Sequence, residues 1–316
     1  MKRPTLAGPA LLLALAMPLA ACGSGNGDNS ASGSHPDVTV KGAVGSTPQL
    51  KVHAPLHLKK STSYVAVKGH GDPVQKGKLY VLQLTLADGH TGKTVISTYS
   101  KGQRPLTGTA GQGGVPPVLD NALVGKKAGS RVVVEATDKD AFGGKGNSQL
   151  GIKPKDPVVM VADIVATAPE HALTGPKGTS VKPPKSAPKL LTKKGVPTGF
   201  DFGSLPKPKH LEVIPLVKGH GPKVPRSGTV TVNYLGSVWG SHKAFDQSYT
   251  KHQTATFPVG MGSVIPGWDK GLVGVPQGSR VLLLCPPQDA YGPQGQPPSI
   301  PKNATLAFVV DVLGVS

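Results

Sequence analysis

Cysteine is nearly absent. Only Cys22 and Cys285 occur in 316 residues, so no disulfide framework can supply the stability and the domains must stand on packing. Aromatic residues make up 4% of the chain, which makes each ring conspicuous. Acidic side chains are scarce too, 17 against 35 Lys and Arg, for a formal charge of +18. So basic a chain raises nucleic acid as a partner. The pattern argues against it, because the charge is spread through linkers and loops with no basic stripe and almost no interleaved rings. Attraction to anionic lipid headgroups or wall polymers is one reading of this charge, and a solvated basic surface is the other. No long hydrophobic run is present. The apolar stretch Ala10–Ala16 is too short, and too closely flanked by Pro9 and Pro18, for a stable membrane span. G-x-S-x-G, C-x-x-C and the P-loop are all missing. His53 and His57 are four apart, but Pro55 between them spoils a helical metal face. Neither a metal nor a cofactor is expected.

The N-terminus reads as an export signal. Lys2 and Arg3 precede the apolar stretch, and Leu19-Ala20-Ala21-Cys22 follows it. That tetrapeptide resembles the bacterial lipobox. The resemblance implies a lipoprotein signal peptide over 1–21, lipidation of Cys22, and an exported protein anchored to the outer face of the cell membrane. Two acyl chains, at ~0.8 kcal/mol per buried CH₂, hold a protein there durably. Residues 22–57 are expected to be a flexible tether, since Gly23 to Ser34 is all small or polar. Cys285 ends the apolar run Val281-Leu282-Leu283-Leu284 and reads as a core thiol.

The chain repeats itself. Val67-Lys68-Gly69-His70-Gly71 returns as Val217-Lys218-Gly219-His220-Gly221, and Gly129-Ser130-Arg131-Val132 as Gly278-Ser279-Arg280-Val281. Asp140-Ala141-Phe142-Gly143 returns as Asp289-Ala290-Tyr291-Gly292, and Asp163 as Asp311. A repeat this long is a duplicated domain, placed at 58–167 and 209–316. The segment 168–208 between them is rich in Pro and Lys and predicts an extended linker with little to bury. In the second copy, Thr229–Tyr234, Thr254–Val259, Arg280–Cys285 and Thr305–Leu313 read as strands. Pro266 to about Val273 reads as one short helix stopped by Gly274. The fold class is therefore α+β, a sheet wrapped around one helix.

Several motifs then follow in order. They are Val232-Asn233-Tyr234-Leu235-Gly236, Ala244-Phe245-Asp246-Gln247-Ser248, Phe257-Pro258-Val259-Gly260 and Val264-Ile265-Pro266-Gly267-Trp268. Gly278-Ser279-Arg280-Val281, Ala290-Tyr291-Gly292 and Ile300 to Phe308 complete the set. With these, the second copy resembles the FKBP-type peptidyl-prolyl cis-trans isomerases along its whole length. The resemblance implies two FKBP-like domains, the first degenerate. It implies Trp268 as a pocket floor, Tyr234, Phe245 and Phe308 as walls, and Asp246 as a polar rim group. Val264 and Ile265 would line one side, with the Ile265 amide facing a substrate carbonyl and the Tyr291 hydroxyl as a second donor. Phe257 and Ile300 are further expected substrate contacts. Implied partners are proline-containing polypeptides, macrolide ligands and the membrane through the lipid anchor, with no nucleic acid and a monomeric state. Ala255, Gln296 and Ser299 depart from the family pattern and put the preference for the residue before proline in doubt.

The chemistry needs no nucleophile. An X-Pro bond turns over in tens to hundreds of seconds unaided, across ~18–20 kcal/mol. Isomerisation five decades faster requires about 7 kcal/mol. The twisted amide has lost conjugation and is less dipolar than the planar one, so an apolar pocket favours it. In the first copy the counterparts are Gln83 or Leu84 for Tyr234, Val95 and Ile96 for Phe245 and Asp246, Leu119 for Trp268, Met160 for Phe308 and Phe142 for Tyr291. That copy is expected to fold without catalysing. The expected function is an isomerase assisting the folding of exported proteins. The alternative is a non-catalytic chaperone or scaffold lipoprotein that uses the fold for binding.

Overall fold

The computed structural model describes residues 36–251 and 253–316. The expected signal peptide, Cys22 and the expected tether as far as residue 35 lie outside the described residues. The described residues open with a hairpin of β1 (Val38–Lys41) and β2 (Gln49–Val52). The first copy follows with β3 (Thr62–Val67), β4 (Leu79–Asp88), β5 (Thr94–Ser97) and β6 (Leu106–Thr109). Helix α1 (Pro117–Leu123), β7 (Arg131–Ala136), α2 (Asp138–Phe142) and β8 (Val158–Thr167) complete it. The connecting segment holds β9 (Gly178–Ser180), β10 (Lys189–Lys193) and β11 (Val196–Asp201). The second copy comprises β12 (Glu212–Gly219), β13 (Gly228–Val238), β14 (Ala244–Gln247), β15 (Ala255–Val259), α3 (Pro266–Gly271), β16 (Arg280–Cys285) and β17 (Leu306–Val315).

The two sheets share one topology. Strand order is β3-β7-β8-β4-β5 in the first, with β6 also on β4. It is β12-β16-β17-β13-β14 in the second, with β15 also on β13 and β9 added at the β12 edge. Every ladder is antiparallel. Each sheet lays one face on its own helix. Val281, Leu283 and Cys285 pack on the α3 side, while Leu282 and Leu284 point to the opposite face. The fold class is α+β, as the strand and helix patterns predict.

Two expectations need correction. Residues 168–208 are not a bare linker. The hairpin β10–β11 lies on the back of the second sheet, where Phe200 and Phe202 pack against Ile214, Leu235, Leu282 and Val309. Its turn, Lys194-Gly195, has positive φ at both positions (51° and 79°), the geometry of a tight two-residue hairpin turn. Likewise the tether is ordered within its second half, because β1–β2 covers the back of the first sheet. There Val38 and Leu56 meet Val133, Val159 and Val161. Burying a Phe of this kind stabilises by ~1.5–3 kcal/mol, a gain that the Pro- and Lys-rich composition, read as having little to bury, did not announce. Each copy is thus a three-layer unit of hairpin, sheet and helix. The units also touch, through a 2.5 Å hydrogen bond from the Thr229 hydroxyl to the Thr167 carbonyl, and the connecting segment is tied to the second copy by one of 2.8 Å from the Leu173 amide to the Leu313 carbonyl.

Each sheet buries an Arg–Asp pair. Arg131 donates to Asp163 from Nε and Nη2, at 2.6 and 2.8 Å. Arg280 does the same to Asp311, at 2.5 and 2.8 Å. Burial works against both guanidinium charges, but the carboxylate bonds outweigh it and leave both pKa values raised.

Candidate active site

The site begins at the N-terminus of α3. Pro266 starts the helix with φ preset. Gly267 follows because space is short. A Cβ there would lie 2.4 Å from the Cys285 sulfur and 2.9 Å from the Asp289 carbonyl. The helix therefore presses onto β16 and carries Trp268 over the sheet. Burial pushes the Cys285 thiol up to about 12, as a core thiol requires.

Trp268 meets three rings edge-on. Its centroid lies 5.4 Å from Tyr234, 5.2 Å from Phe257 and 5.5 Å from Phe308, with interplanar angles of 87°, 81° and 82°. Phe245 meets Phe308 at 5.7 Å and 90°. Such pairs contribute about 0.5–1.5 kcal/mol each beyond area. Gly236 makes room for the last pair, since a Cβ there would stand 2.7 Å from both rings. Three neighbouring strands supply the walls: β13 gives Tyr234, β14 gives Phe245 and β17 gives Phe308.

These rings enclose a cavity of about 250 Å³, lined by Tyr234, Phe245, Asp246, Phe257, Ser263, Val264, Ile265, Trp268, Tyr291 and Phe308. It is smaller than a pocket for a drug-sized ligand and suits a single pyrrolidine ring. Asp246 accepts a bond from the Tyr234 hydroxyl and one of 2.9 Å from the Gln247 amide. Burial and that bond raise the Tyr234 hydroxyl above its ordinary range. Tyr291 is raised as well, by burial first and then by the Asp246 charge, yet it is 36% exposed. Both hydroxyls therefore stay protonated at neutral pH. Ile265 caps α3, so its own amide precedes the helical bonds and has no partner within the helix. The Trp268 Nε1–H is buried without an acceptor, which costs about 1–3 kcal/mol.

Nine of the ten expected pocket residues converge here. The exception is Ile300, which is 2% exposed in the same core cluster as Trp268 and Phe308 but is not among the lining residues. Backbone bonds in both directions join Gln296 and Ile300, at 2.8 and 3.0 Å. Ser263 was not expected. Its only signal was its place just before Val264. A wider cleft of about 720 Å³ adjoins the pocket at Val264 and carries Arg104, Arg226 and Lys270. Arg104 comes from the first copy and donates 2.6 Å to the Gly262 carbonyl. Among the described residues no cluster of His, Cys, Asp and Glu could hold a metal ion.

The register fixes the counterparts in the first copy. Asn233 pairs with Asp311 as Gln83 pairs with Asp163, so Leu84 stands for Tyr234. Gly236 faces Phe308 and Asp246, and Leu86 faces Met160 and Ile96. Phe257 opposes Val230, and Gly108 opposes Tyr80. Tyr80 folds over Gly108, where a Cβ would lie 2.5 Å from the ring, and its hydroxyl donates 2.8 Å to Asp120. Leu84, Leu119 and Met160 are buried in the first core.

A family model described as FKBP-type peptidyl-prolyl cis-trans isomerase matches residues 71–163 and again 221–313. Together these cover more than half of the chain. The peptidyl-prolyl cis-trans isomerase Fkbp12 of Drosophila melanogaster is 41% identical over 106 residues, 33% of this chain and 97% of that protein. The isomerase FkpA of Escherichia coli K12 is 42% identical over 104 residues, 33% of this chain and 36% of its own length. The crystal structure of FkpA from Escherichia coli aligns at 40% identity and a TM-score of 0.31, covering 34% of this chain and 48% of that one. The chain belongs to the FKBP-type peptidyl-prolyl cis-trans isomerase family and contains two FKBP-like domains.

Proposed function

We propose that the isomerase activity resides in the second copy, in the cavity over Trp268, and that it serves proteins exported across a membrane. The cluster of edge-on rings lining one small cavity carries the reading. A proline ring enters the aromatic well, and the Ile265 amide and the Tyr291 hydroxyl donate to the flanking carbonyls. The fixed flanks leave the X-Pro bond as the free rotor. The twisted amide, less dipolar than the planar form, gains most from an apolar lining. Asp246 holds Tyr234 against the wall through the hydroxyl bond. Macrolides that present a ring of the same size would compete for the well. The first copy, with Leu84, Ile96, Gly108, Leu119 and Met160 in place of the pocket residues, binds or spaces rather than catalyses. Lipidation at Cys22 would keep the enzyme beside emerging chains.

A proline-peptide isomerisation assay on residues 168–316 tests this. The cut at 168 keeps β10–β11 on the sheet. Acceleration that a macrolide inhibits is expected, with a large loss in Asp246→Ala and Trp268→Ala. An inactive unmutated fragment overturns the proposal. So does acceleration by residues 36–167, for the division between the copies. Labelled palmitate should enter the full chain in a bacterial host, and Cys22→Ser should abolish it.

A further inference from the structure

The two buried Arg–Asp pairs are alike, but their surroundings are not. In the first copy the β1–β2 turn coils over the guanidinium. Arg131 Nη1 donates to the carbonyls of Lys41 and Gly42, at 3.4 and 2.8 Å. Its Nη2 donates to Ala43 and Ser46, at 3.0 and 3.1 Å. The Gly45 amide donates 2.9 Å to Asp163, and the Tyr99 hydroxyl donates to the same carboxylate. The turn can coil this tightly because Gly42 and Gly45 take φ of 100° and 83°. The Arg131 side chain is left 1% exposed.

In the second copy the covering turn is only Lys194-Gly195. Arg280 Nη1 reaches one carbonyl, that of Gly195, at a long 3.3 Å. Tyr249 stands where Tyr99 stands. Its buried hydroxyl feels both Asp311 and Arg280, but it does not hold the carboxylate in the short bond that Tyr99 makes to Asp163. Over the pair opens a cavity of about 850 Å³, walled by Thr174, Val196, Thr198, Tyr249 and Thr254 with Arg280 and Asp311 at its base. The Arg280 side chain is 14% exposed. Arg280 thus keeps guanidinium donors turned to the cavity and free of protein acceptors, and the first copy displays the group that would take them.

We propose that this cavity is a second polypeptide site, which takes a glycine-containing turn from another chain. The turn offers converging carbonyls to Arg280 and an amide to Asp311. Recognition is of backbone, so it does not require proline and does not rest on the catalytic reading. The occupant is a polypeptide rather than an anion, because Asp311 already neutralises Arg280 and repels a carboxylate, while an amide N–H is wanted beside it.

The test uses the full chain with ¹⁵N-labelled arginine side chains. The probe is the acetylated, amidated peptide of residues 41–47. The Arg280 Nε–H resonance, assigned by its loss in Arg280→Lys, should shift and saturate with a Kd below ~1 mM. A saturating macrolide in the aromatic pocket should leave that titration unchanged. Thr198→Trp, which fills the mouth, should weaken the peptide by about tenfold with isomerase activity intact. Thr254→Trp, at another lining position, repeats this should the first variant fold poorly. No shift up to ~10 mM peptide overturns the proposal. A shift that both Trp variants leave intact, or one that acetate reproduces, overturns it as well.

Discussion

The two copies keep the same frame and differ in what fills it. Strand order, helix position, covering hairpin and the Arg–Asp pair all recur. The first copy fills its core with aliphatic side chains and wraps its guanidinium in its own turn. The second leaves both places open, one lined by rings and one by polar groups. A fold of this kind needs its layers and its buried pair, whereas the pocket is an addition that one copy does without.

The strongest way to break the comparison is at the buried pairs. Arg131→Met strands Asp163 in the interior and should cost about 3–5 kcal/mol. Arg280→Met should cost less, because Arg280 is more exposed and holds one carbonyl rather than four. Thermal unfolding of residues 36–167 and 168–316 measures both, and equal losses would deny that the pairs differ. The hairpin layer comes next. Phe200→Ala removes a fully buried ring from the back of the second sheet, with an expected loss of about 3–5 kcal/mol. A change near zero would return residues 189–201 to the status of a linker. Third, Trp268→Leu writes the first copy's residue into the second. It should lower kcat/KM about 100-fold, a loss of about 2.7 kcal/mol in transition-state binding. Retained activity would place the difference between the copies elsewhere.

Most of the frame was legible in the sequence. The runs at Thr229, Thr254, Arg280 and Thr305 became β13, β15, β16 and β17 within a residue or so at most ends. Pro266 marked the helix start. The hairpins were missed because composition spoke for disorder. Yet two local signals were present. Leu190-Leu191 and Val196 to Phe200 flank a Gly-containing two-residue turn. The run Val281–Leu284 also fails to alternate, and an antiparallel strand that is apolar on both sides has both faces covered. The pocket rings were readable from ordered motifs. Ile300 packs in the core beside those rings without lining the cavity, because a motif gives neighbourhood in sequence, not the direction of a side chain. The Arg280 cavity was invisible, since it exists only through the unequal lengths of two turns.

The smallest difference is one oxygen. Tyr291 of the second copy occupies the position of Phe142 in the first, so Tyr291→Phe copies one pocket into the other at a single atom. Loss of one hydrogen bond of about 0.5–1.5 kcal/mol should lower kcat/KM by about 2–10-fold. Alkaline pH should do the same to the wild type. The Tyr291 pKa lies above its ordinary value of 10.0 because burial and Asp246 disfavour the phenolate. Activity should therefore hold through pH 9 and decline only beyond about 10. Stability falls over the same range. All six tyrosines are raised, Tyr64 to about 12. The folded state then holds protons that the unfolded chain releases near 10, so this stabilisation is full below pH 10 and lost above it. Global unfolding would mask an active-site titration. Tyr291→Phe separates the two, because it should remove the alkaline limb of kcat/KM while five raised tyrosines keep the alkaline unfolding in place. If the limb survives in Tyr291→Phe, the hydroxyl is not a donor to substrate, and Tyr291 and Phe142 are equivalent walls.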